Sequence, residues 1–387
     1  MPELTPEDSL RLNVMLAGDI QAIRIDAVNM MIYGLSPRGT AVVKLHPAGR
    51  TDQYLRTARE LLAGFALGSP GGYPVYLQRW TRMGQARDKG LDRLLLLGEP
   101  EAITSVAYSN GLTDELARRA WWAMPVADHA RRMLERECVV QGEMGKVLAD
   151  FLIEHLPFES EAHIIIDTIR ILLQPGLIDQ ATRLTLWRRG EIDNAYHVGF
   201  LARLPDAIPE PLPQRLDFET FQRQLSALVT QGNIIAEQMQ RLLSSPGQTF
   251  CHAYDEVLRH PADQDVVLVL LEALSTYFAE LQMQHSRSGE TVETVVASIE
   301  LFISSQASTS AVSQFLLAIP ALKKELVAML ALSCIDANIA TPIMSQTTSS
   351  GTLMRKKLEP LTIPILQLFA ILMSKPFTAS TSRRRSL

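Results

Sequence analysis

The apolar residues of this chain change their period once, and that change most limits what it can fold into. Up to about residue 50 they alternate: Ile23 and Ile25 between polar neighbours, then Ala41, Val43 and Leu45, the period-two signature of strands with one buried face. Asp26-Ala27-Val28-Asn29 and Ser36-Pro37-Arg38-Gly39 supply turn chemistry beside these runs. A small β-meander is therefore expected from about Gln21 to His46, followed by a helix from about Asp52 to Phe65. From about Leu91 onward the period is helical. Val147, Leu148, Phe151, Leu152 and His155 share one face, as do Val292, Val295, Val296, Ile299 and Ile303. Several runs stop at a proline, at Met124-Pro125, Leu156-Pro157, Gln174-Pro175 and Leu204-Pro205. Proline lacks the N–H that would continue the ladder and pushes its predecessor out of the α region. The expected fold class is mostly α, with a small N-terminal β-meander, HEAT-like helical hairpin repeats and a second helical domain.

A weak internal repeat supports the hairpins. Gly111-Leu112-Thr113-Asp114 lies 65 residues before Gly176-Leu177-Ile178-Asp179, and the same offset pairs Arg118 with Arg183, Trp122 with Trp187 and Asp128 with Asp193. Asp114 and Asp179 sit where N-caps are expected, and recurrence of cap, stem and anchor is how a stacked helical array reads. Pro205, Pro209, Pro211 and Pro213 mark a stiff linker. The expected domains are a small α+β unit over 1–90, a helical-repeat domain over 91–204, a linker over 205–215, a C-terminal helical domain over 216–376 and a disordered tail over 377–387. Pro364 is expected to interrupt the apolar run Leu361–Met373.

Composition closes off several classes. With 47% apolar residues, 20% charged residues and a net charge of −5 over 387 residues, the chain is too apolar for disorder and too near neutral for a dedicated nucleic-acid binder. An acidic start without a long apolar run argues against a secretory signal, and no run approaches the ~20 residues a membrane span needs. Three distant cysteines, Cys138, Cys251 and Cys334, without a C-x-x-C, fit a reducing cytoplasm better than a disulfide framework or zinc site.

No motif marks an enzyme. The glycine-rich run Gly68–Pro74 lacks the Lys of a phosphate loop, and its two prolines remove amide donors. No histidine pair has HExxH or i,i+4 spacing, and G-x-S-x-G is absent. Neither a cofactor nor a metal is expected. Cys251, placed by Ser245–Thr249 near a helix start with Thr249 as cap, is the expected reactive thiol, because helix N–H groups favour a thiolate. Cys138 and Cys334 are expected to be shielded. The pairs Arg118-Arg119, Arg131-Arg132 and Arg188-Arg189 near Trp121, Trp122 and Trp187 offer phosphate contacts and stacking faces for RNA. Acidic residues interleave them, and a solvated face of ion pairs is the expected reading.

The segments LGSPGGYPVYLQRWTRMGQ at 67–85, LLLLGEPEAI at 94–103, GLTDELARRAWWAMP at 111–125, EDSLRLNVMLAG at 7–18 and VGFLARLPD at 198–206 together resemble the DsrS family. That family is encoded with the reverse dissimilatory sulfite reductase genes of sulfur-oxidising bacteria. The likeness is closest over residues 7–206. It implies a soluble cytoplasmic accessory or regulatory protein of sulfur oxidation acting through another protein of that system, and it carries no catalytic motif. Arg79, Trp80, Arg118, Trp121 and Arg188 are the candidate interaction anchors. Trp121, whose repeat position holds Leu186, is the expected exposed tryptophan. An RNA-contacting regulator and a cysteine-based sulfur carrier are the alternatives.

Overall fold

The computed structural model describes residues 4–47, 49–68, 90–281, 290–305, 310–344 and 351–373. A helix, Pro6–Leu16 (α1), precedes three strands, Ala22–Asp26 (β1), Met31–Ser36 (β2) and Gly39–Lys44 (β3), and Thr51–Leu67 (α2) follows. The rest is helical: Leu91–Leu94 (α3), Pro100–Ala107 (α4), Asp114–Ala123 (α5), Ala127–Met133 (α6), Glu137–Val140 (α7), Glu143–His155 (α8), Ala162–Leu172 (α9), Gln180–Arg189 (α10) and Ala195–Arg203 (α11). Beyond these come Phe218–Thr230 (α12), Ile234–Leu243 (α13), Ser245–Arg259 (α14), Gln264–Tyr277 (α15), Val292–Ser305 (α16), Ala311–Ala318 (α17), Lys323–Ser333 (α18), Thr341–Met344 (α19) and Gly351–Leu372 (α20). The protein is mostly α with an N-terminal antiparallel meander in the order β1-β2-β3. No single helix among the described residues is long and apolar enough to cross a membrane.

Both predicted turns close the meander. The Asp26 carboxylate accepts the N–H groups of Val28 and Asn29 at 3.1 and 3.0 Å, an Asx-turn. Ser36 pairs with Gly39 across the second turn. One sheet face buries Ile23, Ile32, Val43 and Leu45 against Leu12 of α1 and Tyr54 and Leu62 of α2. A buried carboxylate ties these elements together. Asp8, in the first turn of α1, accepts from the Tyr54 hydroxyl at 2.6 Å, the His46 backbone N–H at 2.7 Å and the His46 ring at 3.2 Å. Burial pushes the Asp8 carboxyl up, but those donors outweigh it and hold the group below its ordinary range.

The chain forms two compact units, one of residues 1–158 with 175–177 and one of residues 159–174 with 178–387. The boundary expected at 204 is thus displaced: α9 and α11 pack on each other and on α15, so they belong to the second unit. The first repeat copy lies in the first unit and the second, from Ile178 onward, in the second unit, and their caps differ. Asp179 does cap α10, accepting from Thr182 N–H at 2.8 Å. In the first copy Thr113 caps α5, at 3.3 Å from Leu116 N–H. The Asp114 carboxylate instead accepts from Glu143 and Met144 at 3.0 and 3.1 Å, so it caps α8 and pins two helices together.

The proline-rich segment is a strap rather than a linker. Ile208 is buried, Leu212 N–H donates to Thr249 at 2.9 Å, and Asp206 takes both arms of Arg241 at 2.6 and 2.8 Å. At its end Arg215, 4% exposed, donates to Asp217 at 2.5 and 2.7 Å and to Glu325 at 3.1 Å. Its own N–H reaches the Leu243 carbonyl at 3.0 Å. Pro364 does not interrupt its run either, because α20 continues through Pro360 and Pro364. Burial of Leu361, Ile365, Phe369 and Leu372 outweighs the lost ladder bonds. Around them Phe250 stacks on Tyr277 at 3.9 Å and Tyr254 on Phe369 at 4.7 Å.

Replacing Arg215 by Ala strands Glu325 in the interior. Losing one partner of a buried pair costs about 3–5 kcal/mol, so urea denaturation should show a fall of that size for Arg215→Ala and little change for the exposed Arg223→Ala. A loss below about 1 kcal/mol, the usual range of a surface pair, would contradict the role of this guanidinium.

Candidate functional site

A row of aromatic rings runs along the exposed edge of α8 in the first unit. The helix buries Met144, Leu148, Ala149 and Leu152. Beside them, at spacings of four, four and three, lie Val147, Phe151, His155 and Phe158, which a 3.6-residue helix lines up on one flank. Trp121 of α5 meets Phe151 edge-on at 4.7 Å, Phe151 stacks on His155 at 5.7 Å, and His155 leans on Phe158 at 6.4 Å. Such pairs contribute about 0.5–1.5 kcal/mol each beyond burial, which orders the row. Pro157 ends the α-helix, and the 3₁₀ turn Leu156–Phe158 that follows leaves the Phe158 ring 81% exposed. The exposed carboxylates Glu143, Asp150 and Glu154 border the row on its solvent side.

The predicted anchors are distributed differently. Arg118 donates to both oxygens of Glu115 at 2.7 and 2.8 Å and to Gln21 at 3.1 Å. Glu115 also accepts from Arg119 at 2.8 Å. The Arg118 hydrogen bond is the main cause holding the Glu115 carboxyl down at about 2. Arg188 is paired with Glu210 at 2.7 and 2.9 Å. Arg131 pairs with Asp128, and Arg132 with Glu135 at 2.8 Å. These guanidinium groups are committed to carboxylates. Trp121 is half-buried against Phe151 rather than free, and Trp122 and Trp187 are half-buried as well. Arg24 lies 4.7 Å from the Tyr33 ring and 5.2 Å from Trp122. Arg79 and Trp80 lie outside the described residues, as does the glycine-rich run beyond Gly68.

The thiols reverse their expected order. Helix α14 starts at Ser245 rather than after Thr249, since Pro246 is tolerated in a first turn whose N–H groups have no helical partner anyway. A side chain at Gly247 would sit 2.1 Å from the Arg241 carbonyl, so that glycine marks a close helix approach, not a loop. Cys251 is therefore in the second turn, fully buried, and burial pushes its thiol far up. Burial also raises Cys334. Cys138, on the short α7, is exposed and donates to the Leu112 carbonyl at 3.2 Å.

Among the described residues, no group of three or more His, Cys, Asp or Glu is arranged to hold a metal ion. His129, a buried ring, is satisfied by the Met124 carbonyl at 3.1 Å and Thr104 at 3.0 Å. Burial lowers its pKa. Against families of known proteins, curated proteins and solved structures, the chain finds no match.

Iodoacetamide should label Cys138 in the folded protein while Cys251 and Cys334 react only on unfolding, because thiolate formation and access both fail in the interior. Equal labelling of all three, followed by peptide mass spectrometry, would contradict this burial pattern.

Proposed function

We propose that this chain is a binding protein that presents the aromatic row of its first unit to another protein. The observation that carries the reading is Phe158, 81% exposed at the end of an ordered row of rings. A large aromatic side chain held in water by its backbone offers contact area at low conformational cost, the usual make-up of an interface anchor. The resemblance to the DsrS family adds that the partner belongs to the cytoplasmic sulfur-oxidation machinery, and that binding serves formation or control of that machinery. The bordering carboxylates Glu143, Asp150 and Glu154 favour a partner surface that is apolar with basic margins. They disfavour RNA, whose phosphates bind through unpaired basic groups, and five of the six Arg residues that would serve RNA are paired with Glu115, Glu210, Asp128 and Glu135.

In an affinity capture from a sulfur-oxidising bacterium growing on reduced sulfur, Phe158→Ser should retain the wild-type melting temperature and lose most of the captured protein. Loss of one anchor worth about 2 kcal/mol weakens binding roughly thirtyfold. Undiminished capture by Phe158→Ser, or salt-sensitive RNA as the main bound species, would overturn the reading.

A further inference from the structure

The second unit carries a cleft lined by three carboxylates and by the buried His197. We propose that this cleft, between the α10–α11 turn and the last turn of α14, binds a guanidinium group. The assignment is independent of the aromatic row.

The cleft encloses about 500 Å³, within the usual size of small-ligand pockets. Its most buried polar side chain is His197, 5% exposed. The ring is clamped on two sides: Trp187 lies 4.0 Å away, centroid to centroid, and a Cβ at Gly190 would come 2.0 Å from the His197 Cδ2. No side chain at residue 190 would leave the ring this seat. Nε2 is 2.9 Å from the Trp187 carbonyl, so Nε2 carries the proton and Nδ1 keeps a lone pair. Burial lowers the pKa of His197 against the pull of Glu256 and Glu191, which keeps the ring neutral and Nδ1 an acceptor. No donor among the described residues reaches Nδ1.

Asn194 lies in the same lining. Its amide Nδ2 donates to the His260 carbonyl at 2.6 Å, which fixes the amide and turns Oδ1 to the other side. Oδ1 is enclosed and has no hydrogen-bond partner. Three carboxylates complete the lining. Asp193 uses one oxygen on the Ala195 N–H at 3.0 Å, while Glu191 and Glu256 have no ion-pair partner among the described residues.

A neutral acceptor left unused at His197 Nδ1, beside three carboxylates, calls for a cation rich in N–H groups. A guanidinium brings five donors in one plane, suited to acceptors arranged around it, whereas an ammonium brings three on a point. Ile192, 93% exposed at the rim, offers an apolar edge for the methylene stem that such a group carries.

The test is calorimetric titration of the full chain with agmatine, capped arginine and capped lysine. Agmatine and capped arginine should bind with one-to-one stoichiometry. The double variant Glu191→Gln/Glu256→Gln should weaken both by at least about tenfold, the usual worth of a charge-assisted contact. Both glutamates are exposed, so the melting temperature should hold. Tighter binding of capped arginine than of agmatine assigns the group to a partner's side chain, and the reverse order assigns it to a free guanidine. Capped lysine binding as tightly as capped arginine would overturn the guanidinium assignment. Absence of binding at millimolar ligand, or affinity untouched in the double variant, would overturn the site.

Discussion

A single buried guanidinium holds much of the second unit in register. Arg215 receives the end of the proline strap, bonds Asp217 beside it, reaches Glu325 on α18, and anchors its backbone to the last turn of α13. Glu325 lies 110 residues from Arg215, and the nearly inaccessible guanidinium would be costly to bury without its carboxylates. Once Arg215 is in place the strap cannot leave, and the strap in turn hands Asp206 to Arg241 and Glu210 to Arg188. Two basic residues of the second unit are thereby committed to the fold rather than to a ligand. The aromatic core behind them, Phe250 on Tyr277 and Tyr254 on Phe369, is where Cys251 is lost to chemistry.

The first unit is organised by carboxylates in the same manner. Asp8 joins α1, the end of the meander and α2, and Asp114 holds the start of α8 from the first turn of α5. The second of these has a functional consequence. Because α8 is fixed at its N-terminal end by Asp114 and ended by Pro157, the flank bearing Phe151, His155 and Phe158 keeps one orientation. Recognition through a pre-ordered surface loses less conformational entropy on binding than recognition through a loop.

How much of this was legible varies with the range of the interaction responsible. The period change at the meander, both of its turns and the proline helix stops are local, and they stand where the residues place them. The strap was misread because stiffness is the same whether a proline segment spans two domains or lies across one, and what pins it is Arg215, Thr249 and Arg241, from outside it. Ser245-Pro246-Gly247 looks like a loop unless the neighbouring Arg241 carbonyl is known, so the sequence alone sets the cap at Thr249 and Cys251 in the first turn, whereas the helix starts at Ser245. Phe158 is hard to read from the sequence because Pro157 ends the helical stripe at His155, although the spacing of four, four and three is present. The guanidinium cleft was not legible, since its acceptors at 191–197 and Glu256 meet only when α11 packs on α14.

The ring at position 158 is the proposed point of contact with a protein partner. A photo-crosslinking phenylalanine analogue placed there, in cells that express the chain, tests that contact directly. Val28, 92% exposed in the β1–β2 turn, is the matched control. The account predicts a discrete protein adduct from position 158 and none from position 28. Adducts of equal yield at both positions, or an adduct to RNA at 158, would contradict it.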